Sequence, residues 1–509
     1  MTKMRYIKSL LLVVSITISF LASAQKIIYS QPSEDDTRRM NFEVVGKVSG
    51  NFLIYKNVRS KHFMTVYNNN MAEIIREEQS YIPDSRIINV DFFPYANHVY
   101  VVYQYQKKNV VYCDAVKVDG NGKRVSEVLS LDTTHISSST SNKIYSVISS
   151  ENKSKLMLFK INSKNKSKFI ITTVLFDDEL ALQKRSRFLV NMDEDDDYLD
   201  DFSLDNDGDF AFLRFNMSNN EQIKACYLFY KPAYDDTVAV FKVPQGHFLL
   251  DDIHLKMDNT NKRYLLTSFF YTSKRGNIEG FWFYAWDKLN KRTSMAKAAV
   301  LDGQIRNDAR AGGASLKMAF NDYFVRDVVI KKDGGFLVNA ESYYTSSRGG
   351  GWNRWNYMWG SPLSSWDYYS LGSPLYQNWY WRDRMNNNGV RRHADNIMIF
   401  SFSDTGRLEW SNVIHKEQFD DESDDRISFV TANRGNQLHY LFNIDQKRGL
   451  FLTDYTLSPD GQVNLNPTLK NLERGYEFLP KYGKQVSSSQ VLIPCFFRNN
   501  ICFAKIEFN

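Results

Sequence analysis

From residue 41 onward, apolar and polar positions alternate in short runs rich in Val, Ile, Tyr and Phe, broken by Gly, Asp and Asn. Almost no stretch carries the 3.6-residue period of an amphipathic helix, so the pattern predicts an all-β chain. Several runs are joined by tight turn signals in which glycine supplies positive φ: Asp207-Gly208, Asp333-Gly334-Gly335, Thr405-Gly406 and Asp460-Gly461. Such turns join neighbouring strands, which implies sequential antiparallel meanders.

The runs recur with a period of about 50 residues, the spacing of propeller blades. Units begin near Phe42, Ile88, Ile144, Tyr198, Leu249, Phe324, Ile427 and Phe478. In each, a first strand A leads through a turn to an apolar strand B, then C, then a weaker D. The last unit runs out of chain before its fourth strand, and KIIYS at residues 26–30 is the segment able to complete it and remove an exposed edge. The fold class expected is therefore a single β-propeller of about eight four-stranded blades, closed by the N-terminal strand. Seven blades, or a pair of packed β-domains, are the alternatives. Over nearly all of residues 25–509 this arrangement resembles the secreted bacterial β-propeller proteins. The resemblance is architectural: no WD ladder and no kelch double glycine stands in register, and it implies no catalytic residue.

Blade geometry sorts the connections onto two faces. The A-to-B and C-to-D turns share one face, where the short Asp-Gly turns fall; the B-to-C loops and blade-to-blade links share the other. That second face receives a long insertion, residues 345–395, between strands B and C of the sixth unit. It contains Trp352, Trp355, Trp359, Trp366, Tyr368, Tyr369, Trp379, Trp381 and Arg382. Flat rings interleaved with Arg and Asn suit stacking on sugars or peptides, and they equally suit gluing a long excursion to its scaffold. The same face receives two acidic runs, with Asp195, Asp196 and Asp197 in one and Asp424 and Asp425 in the other. Clustered carboxylates suit Ca²⁺, the one ion the sequence suggests, or form a solvated charged surface. DNDGD at 205–209 is not a calcium loop, because Gly208 is the fourth position and Asn216 the twelfth. It reads as a hairpin turn.

Residues 1–24 carry Lys3, Arg5 and Lys8, then an apolar run, then Ala22-Ser23-Ala24. This is the layout of a secretory signal peptide cleaved after Ala24. No later stretch is long and apolar enough for a spanning helix, so a periplasmic or extracellular location is expected. Charge alters the picture little: 64 basic and 58 acidic residues give +6, too balanced for a nucleic-acid binder.

Candidate chemistry is sparse. The eight His show no zinc spacing, and there is no nucleophile elbow, P-loop or dinucleotide glycine pattern; no cofactor is indicated beyond the Ca²⁺ just considered. Carboxylates are numerous enough for a glycosidase pair. Asp327 and Glu341, on inner strands beside the insertion, are the catalytic candidates, with structural carboxylates as the other reading. Cys113 and Cys226 fall on strand C of non-adjacent units and read as buried thiols. Cys495 and Cys502 flank one hairpin turn and could pair as a disulfide if the register sets them opposite. The functional expectation is a non-enzymatic module binding a glycan or an envelope protein through the insertion-bearing face. The alternatives are a carbohydrate-active hydrolase or lyase using acidic residues in the central funnel, and a structural subunit of an envelope complex.

Overall fold

The fold is that of a computed structural model, which describes residues 25–35, 40–84, 86–137, 143–165, 167–192, 197–217, 222–274, 276–310, 322–346, 391–421, 424–446, 449–466 and 475–508. Eight antiparallel units follow one another in the order in which the sequence spaces them. They span 40–78, 87–135, 145–191, 197–242, 249–300, 323–420, 429–465 and 476–507. Each is a meander with strand A innermost and D outermost. The fourth and fifth units share one sheet only through the pair Ile223↔Leu250. In the eighth, the A position is divided between Tyr476–Phe478 and Lys484–Ser487, which pair with Gln490–Phe497 on either side of a 3-10 turn at Pro480–Tyr482.

The ring closes through the chain's other end. Lys26–Tyr29 pairs antiparallel with Asn500–Glu507, from Lys26↔Glu507 to Tyr29↔Ala504, and so becomes the fourth strand of the eighth blade. Its edge hydrogen bonds are thereby satisfied. Every blade-to-blade seam carries an apolar cluster. The closing seam joins Met40, Val44, Phe52 and Ile54 of the first blade to Leu479, Leu492, Ile501 and Phe503 of the eighth. This architecture is an eight-bladed β-propeller.

Burial explains the sequence pattern. Strand B of the fourth blade, Phe210–Met217, is buried at every position because neighbouring blades cover both its faces. Outer strands are mostly exposed instead, as in Arg292–Val300. Aromatic rings dominate the seam between the fifth and sixth blades, with Phe283 4.4 Å from Phe402 and Phe281 4.8 Å from Phe400 between centroids. Each buried Phe is worth about 1.5–3 kcal/mol of transfer free energy.

Two features depart from the sequence reading. A helix, Gly303–Arg310, occupies the link between the fifth and sixth blades. Asp302 caps it, its carboxylate accepting the Ile305 N–H at 2.8 Å, while Ile305 and Ala309 pack into the adjoining seam. The link is too short for a long periodic pattern, which hid the helix. Strand C of the sixth blade also begins earlier than the assigned insertion end: Arg391–Phe402 continues the ladder from Ser346↔Arg391 to Phe336↔Phe402. Among the described residues, no helix is long and apolar enough to cross a membrane.

Candidate functional site

Strands A line the central channel, and their first residues lie toward the face bearing the insertion. There a cavity of about 310 Å³ opens between the sixth, seventh and eighth blades. Asp327 comes to it from strand Tyr323–Ile330, Tyr343 from the end of strand Phe336–Ser346, Ser428 from the link into the seventh blade, and Lys481 from the 3-10 turn. Arg326 and Asp424 complete its charged lining. Asp327 is partly exposed, and among the described residues its carboxylate takes no hydrogen bond and no ion pair. A carboxylate in that condition has its acceptor capacity available to whatever enters.

Glu341, the companion candidate, is placed differently. It is fully buried, with Lys416 Nζ at 2.8 Å from Oε1 and Oε2 accepting from Arg326 Nε at 2.9 Å and Ser428 Oγ at 2.7 Å. Burial alone would raise its pKa; Lys416 and then Arg326 overcome this and hold it below the ordinary range. Lys416 is equally buried and donates to Ala394 O and the Gln418 amide oxygen, at 2.6 and 2.7 Å. Glu341 is thus a permanent anion that anchors Arg326 beside the cavity. Ser428 holds its hydroxyl there from a left-handed backbone, φ 70°.

The channel holds a second group of acids that the sequence reading passed over. Tyr198-Leu-Asp-Asp and Leu249-Leu-Asp-Asp stand at equivalent places on strands A of the fourth and fifth blades, and both bulge there. Asp201 and Asp252 have φ of 52° and 54°, conformations that Asp tolerates better than most residues. The bulges turn each carboxylate toward the next blade: Asp201 accepts the Leu255 N–H at 2.8 Å, and Asp252 accepts the Val325 N–H. Asp252 also holds the His254 Nε2 at 3.0 Å. Crowding shifts the group. Burial, then Asp201, pushes Asp200 up to about 7. Against burial, Asp252 and then Asp201 and Asp200 raise His254 to about 9. The repeated Leu-Asp-Asp, 51 positions apart, was the available signal. Across the channel, burial lifts Glu43 to about 7 while Lys484 opposes it.

The remaining sequence candidates fall as follows. Asp195 and Asp196 lie outside the described residues. Asp197 is buried and accepts the Asn216 amide at 3.3 Å. Asp424 pairs with Lys481, and Asp425 accepts the Tyr482 hydroxyl at 2.5 Å. Among the described residues, no three His, Cys, Asp or Glu side chains gather as a metal would need. At the DNDGD hairpin a lysine takes the central place: Lys288 Nζ reaches Asp205, Asp207 and Asp209 at 2.5, 2.7 and 2.7 Å. Cys495 and Cys502 are directly opposed in register, the arrangement that pairing requires, and their sulfurs stand 2.9 Å apart with no bond between them. Cys113 and Cys226 are free and buried on strands C of the second and fourth blades. Trp352, Trp355, Trp359, Trp366, Tyr368, Tyr369, Trp379, Trp381 and Arg382 lie outside the described residues. The strands that flank them are described and open onto the cavity's face.

No family model matches the chain, and no curated protein matches it. Solved structures give distant likenesses. A prolyl oligopeptidase B from Galerina marginata, bound to a 35mer substrate, is 8% identical with TM-score 0.42, over 90% of this chain and 55% of that one. The chain therefore spans about half the length of that enzyme. A polysaccharide lyase, an ulvan lyase, gives 8% and 0.36 over 81% and 90%. The catalytic domain of an α-L-arabinofuranosidase from Coprinopsis cinerea gives 10% and 0.25 over 61% and 90%. Likenesses at these scores carry no argument about this chain, whose fold follows from its own strand order.

Proposed function

We propose that the protein is a carbohydrate-active enzyme of the exported compartment, acting on an anionic glycan at the insertion-bearing mouth of the propeller channel. The observation that carries this reading is Asp327, an unengaged carboxylate in a 310 Å³ cavity whose lining also holds Arg326, Lys481 and Tyr343. Hydrolysis by paired carboxylates is the poorer match, because Glu341, Asp424 and Asp425 already have partners. Elimination needs only one base and a positive charge. The cations would face a uronate carboxylate and acidify the adjacent C–H, and Asp327 would take that proton. The electron pair then forms the carbon–carbon double bond as the glycosidic C–O bond breaks, and Tyr343, which lines the same cavity, would protonate the departing oxygen. The aromatic insertion would extend the binding surface beyond the cavity. Cleavage after Ala24 would leave the closing strand Lys26–Tyr29 intact.

The test is a panel of uronate-containing polysaccharides incubated with the purified protein and with Asp327→Asn, followed by ultraviolet absorbance of the new double bond and by reducing-end release. An absorbance rise absent in the variant supports elimination. Reducing ends without absorbance would shift the reading to hydrolysis. Binding without cleavage by either protein would instead support a non-enzymatic glycan receptor.

A further inference from the structure

A second cavity, of about 190 Å³, lies on the opposite face, between the seventh and eighth blades. It sits between the A-to-B turn of the seventh blade, which supplies Arg434, and the ends of the two strands that complete the eighth, which supply Gln25 and Phe508. His439, on strand Gln437–Gln446, lines it and is only 4% exposed. Asp454 lies behind, fully buried. It accepts from His439 Nδ1 at 2.9 Å, from the Asn466 amide at 2.6 Å and from the Gln25 amide. With three donors converging on it, Asp454 is an acceptor, which assigns the proton to His439 Nδ1. The other ring nitrogen, Nε2, is buried without a hydrogen-bond partner, and so is the Gln25 amide oxygen.

Two orphaned acceptors beside one small cavity constrain what would fill it. Buried polar groups are almost always satisfied, and an unmet one costs about 1–3 kcal/mol. A carboxylate or phosphate would set its own lone pairs against both acceptors. An ammonium would satisfy them but meet the Arg434 guanidinium. A pair of neutral hydroxyls satisfies every group present: one donates to Nε2, the other donates to Gln25 Oε1, and either accepts from Arg434. The Phe508 ring, with its centroid 4.2 Å from that of His439, adds an apolar wall. The volume is below the roughly 300–1,000 Å³ of drug-sized sites and equals about six waters at ~30 Å³ each. We infer that this cavity is a binding site for a single neutral sugar or polyol, separate from the channel mouth and completed by the N-terminal strand.

The inference does not depend on the proposed elimination chemistry. The test titrates the purified protein with glucose, galactose, mannose and myo-inositol, and with glucuronate and glucosamine as charged counterparts. Calorimetry reports binding, and proton NMR follows the His439 ring. Saturable binding of a neutral member is expected, weakened at least about tenfold by His439→Phe and by Gln25→Ala. Gln25 lies at a strand end, so Gln25→Ala keeps the test decisive if His439→Phe fails to fold. Failure of all four neutral probes, or unchanged affinity in folded Gln25→Ala, overturns the assignment and leaves ordered water as the occupant. Neither outcome touches Asp327.

Discussion

Removing the buried ammonium beside the cavity tests the electrostatic reasoning most sharply. Lys416→Met leaves Glu341, fully buried, with Arg326 and Ser428 as its remaining partners. It also removes a donor from Ala394 O and from the Gln418 amide oxygen, to which Lys416 donates at 2.6 and 2.7 Å, the latter keeping only the Ser428 N–H. Breaking one side of a buried pair costs about 3–5 kcal/mol. Because Arg326 still faces Glu341, about 4 kcal/mol is the appropriate figure. Unfolding entropy near 2.1 cal/mol/K per residue gives about 1 kcal/mol/K for a chain of 509 residues, hence a melting shift of about 4 °C. Adding Glu341→Met removes the uncompensated charge and should restore more than half of the loss, since neutral replacement of both partners is often tolerated. Urea denaturation of both single variants and the double variant measures the coupling. A loss below about 1 kcal/mol in Lys416→Met, or a double variant no better than the single, would refute the account of Glu341 as a permanently ionised anchor.

Other expectations are independent of that network. Asp327→Asn should change the urea midpoint negligibly, within about 0.5 kcal/mol, because the carboxylate has no partner to lose. Stability should fall as pH rises from about 7 to 9, because Glu43, Asp200 and His254 have raised folded values, about 7, 7 and 9. A raised value means that folding favours the protonated form, so the contribution present below the unfolded pKa is lost as pH climbs through the folded one. His254 is over a third exposed, so channel water screens its share; urea midpoints that rise between pH 7 and 9 would contradict the assignment. Gly461→Ala should destabilise by about 1–3 kcal/mol, since φ is 86° and a Cβ would meet the Trp410 ring at 2.6 Å. Calorimetry of that variant settles it. All four cysteines should resist iodoacetamide in the native protein and label in urea, as mass spectrometry would show.

Much of the architecture was legible because blade construction repeats itself locally. Phe42, Ile88, Tyr198 and Leu249 fall at or within two residues of strand starts, since buried inner strands need apolar runs and turns such as Asp207-Gly208 and Asp460-Gly461 set Gly at positive φ. The closing role of residues 26–30 could be read because the last unit visibly lacked a strand. The site was less legible. Whether Asp327 stays unengaged while Glu341 is neutralised depends on Lys416, 75 positions beyond Glu341 and in the link that follows strand Leu408–Ile414. Asp424 and Asp425 read as a charged run, yet Lys481 and Tyr482, 57 positions along, take them up. The carboxylates of Asp201 and Asp252 reach the next blade only because both strands bulge, and a bulge leaves little trace beyond the repeated Leu-Asp-Asp.

The most direct test of the central claim is a crystal structure of the Asp327→Asn protein with an acidic oligosaccharide from a polysaccharide that the native protein binds or cleaves. The account predicts a sugar ring in the channel-mouth cavity, its carboxylate toward Arg326 or Lys481 and its reacting carbon beside position 327. A chain bound only elsewhere, with that cavity empty, would contradict it.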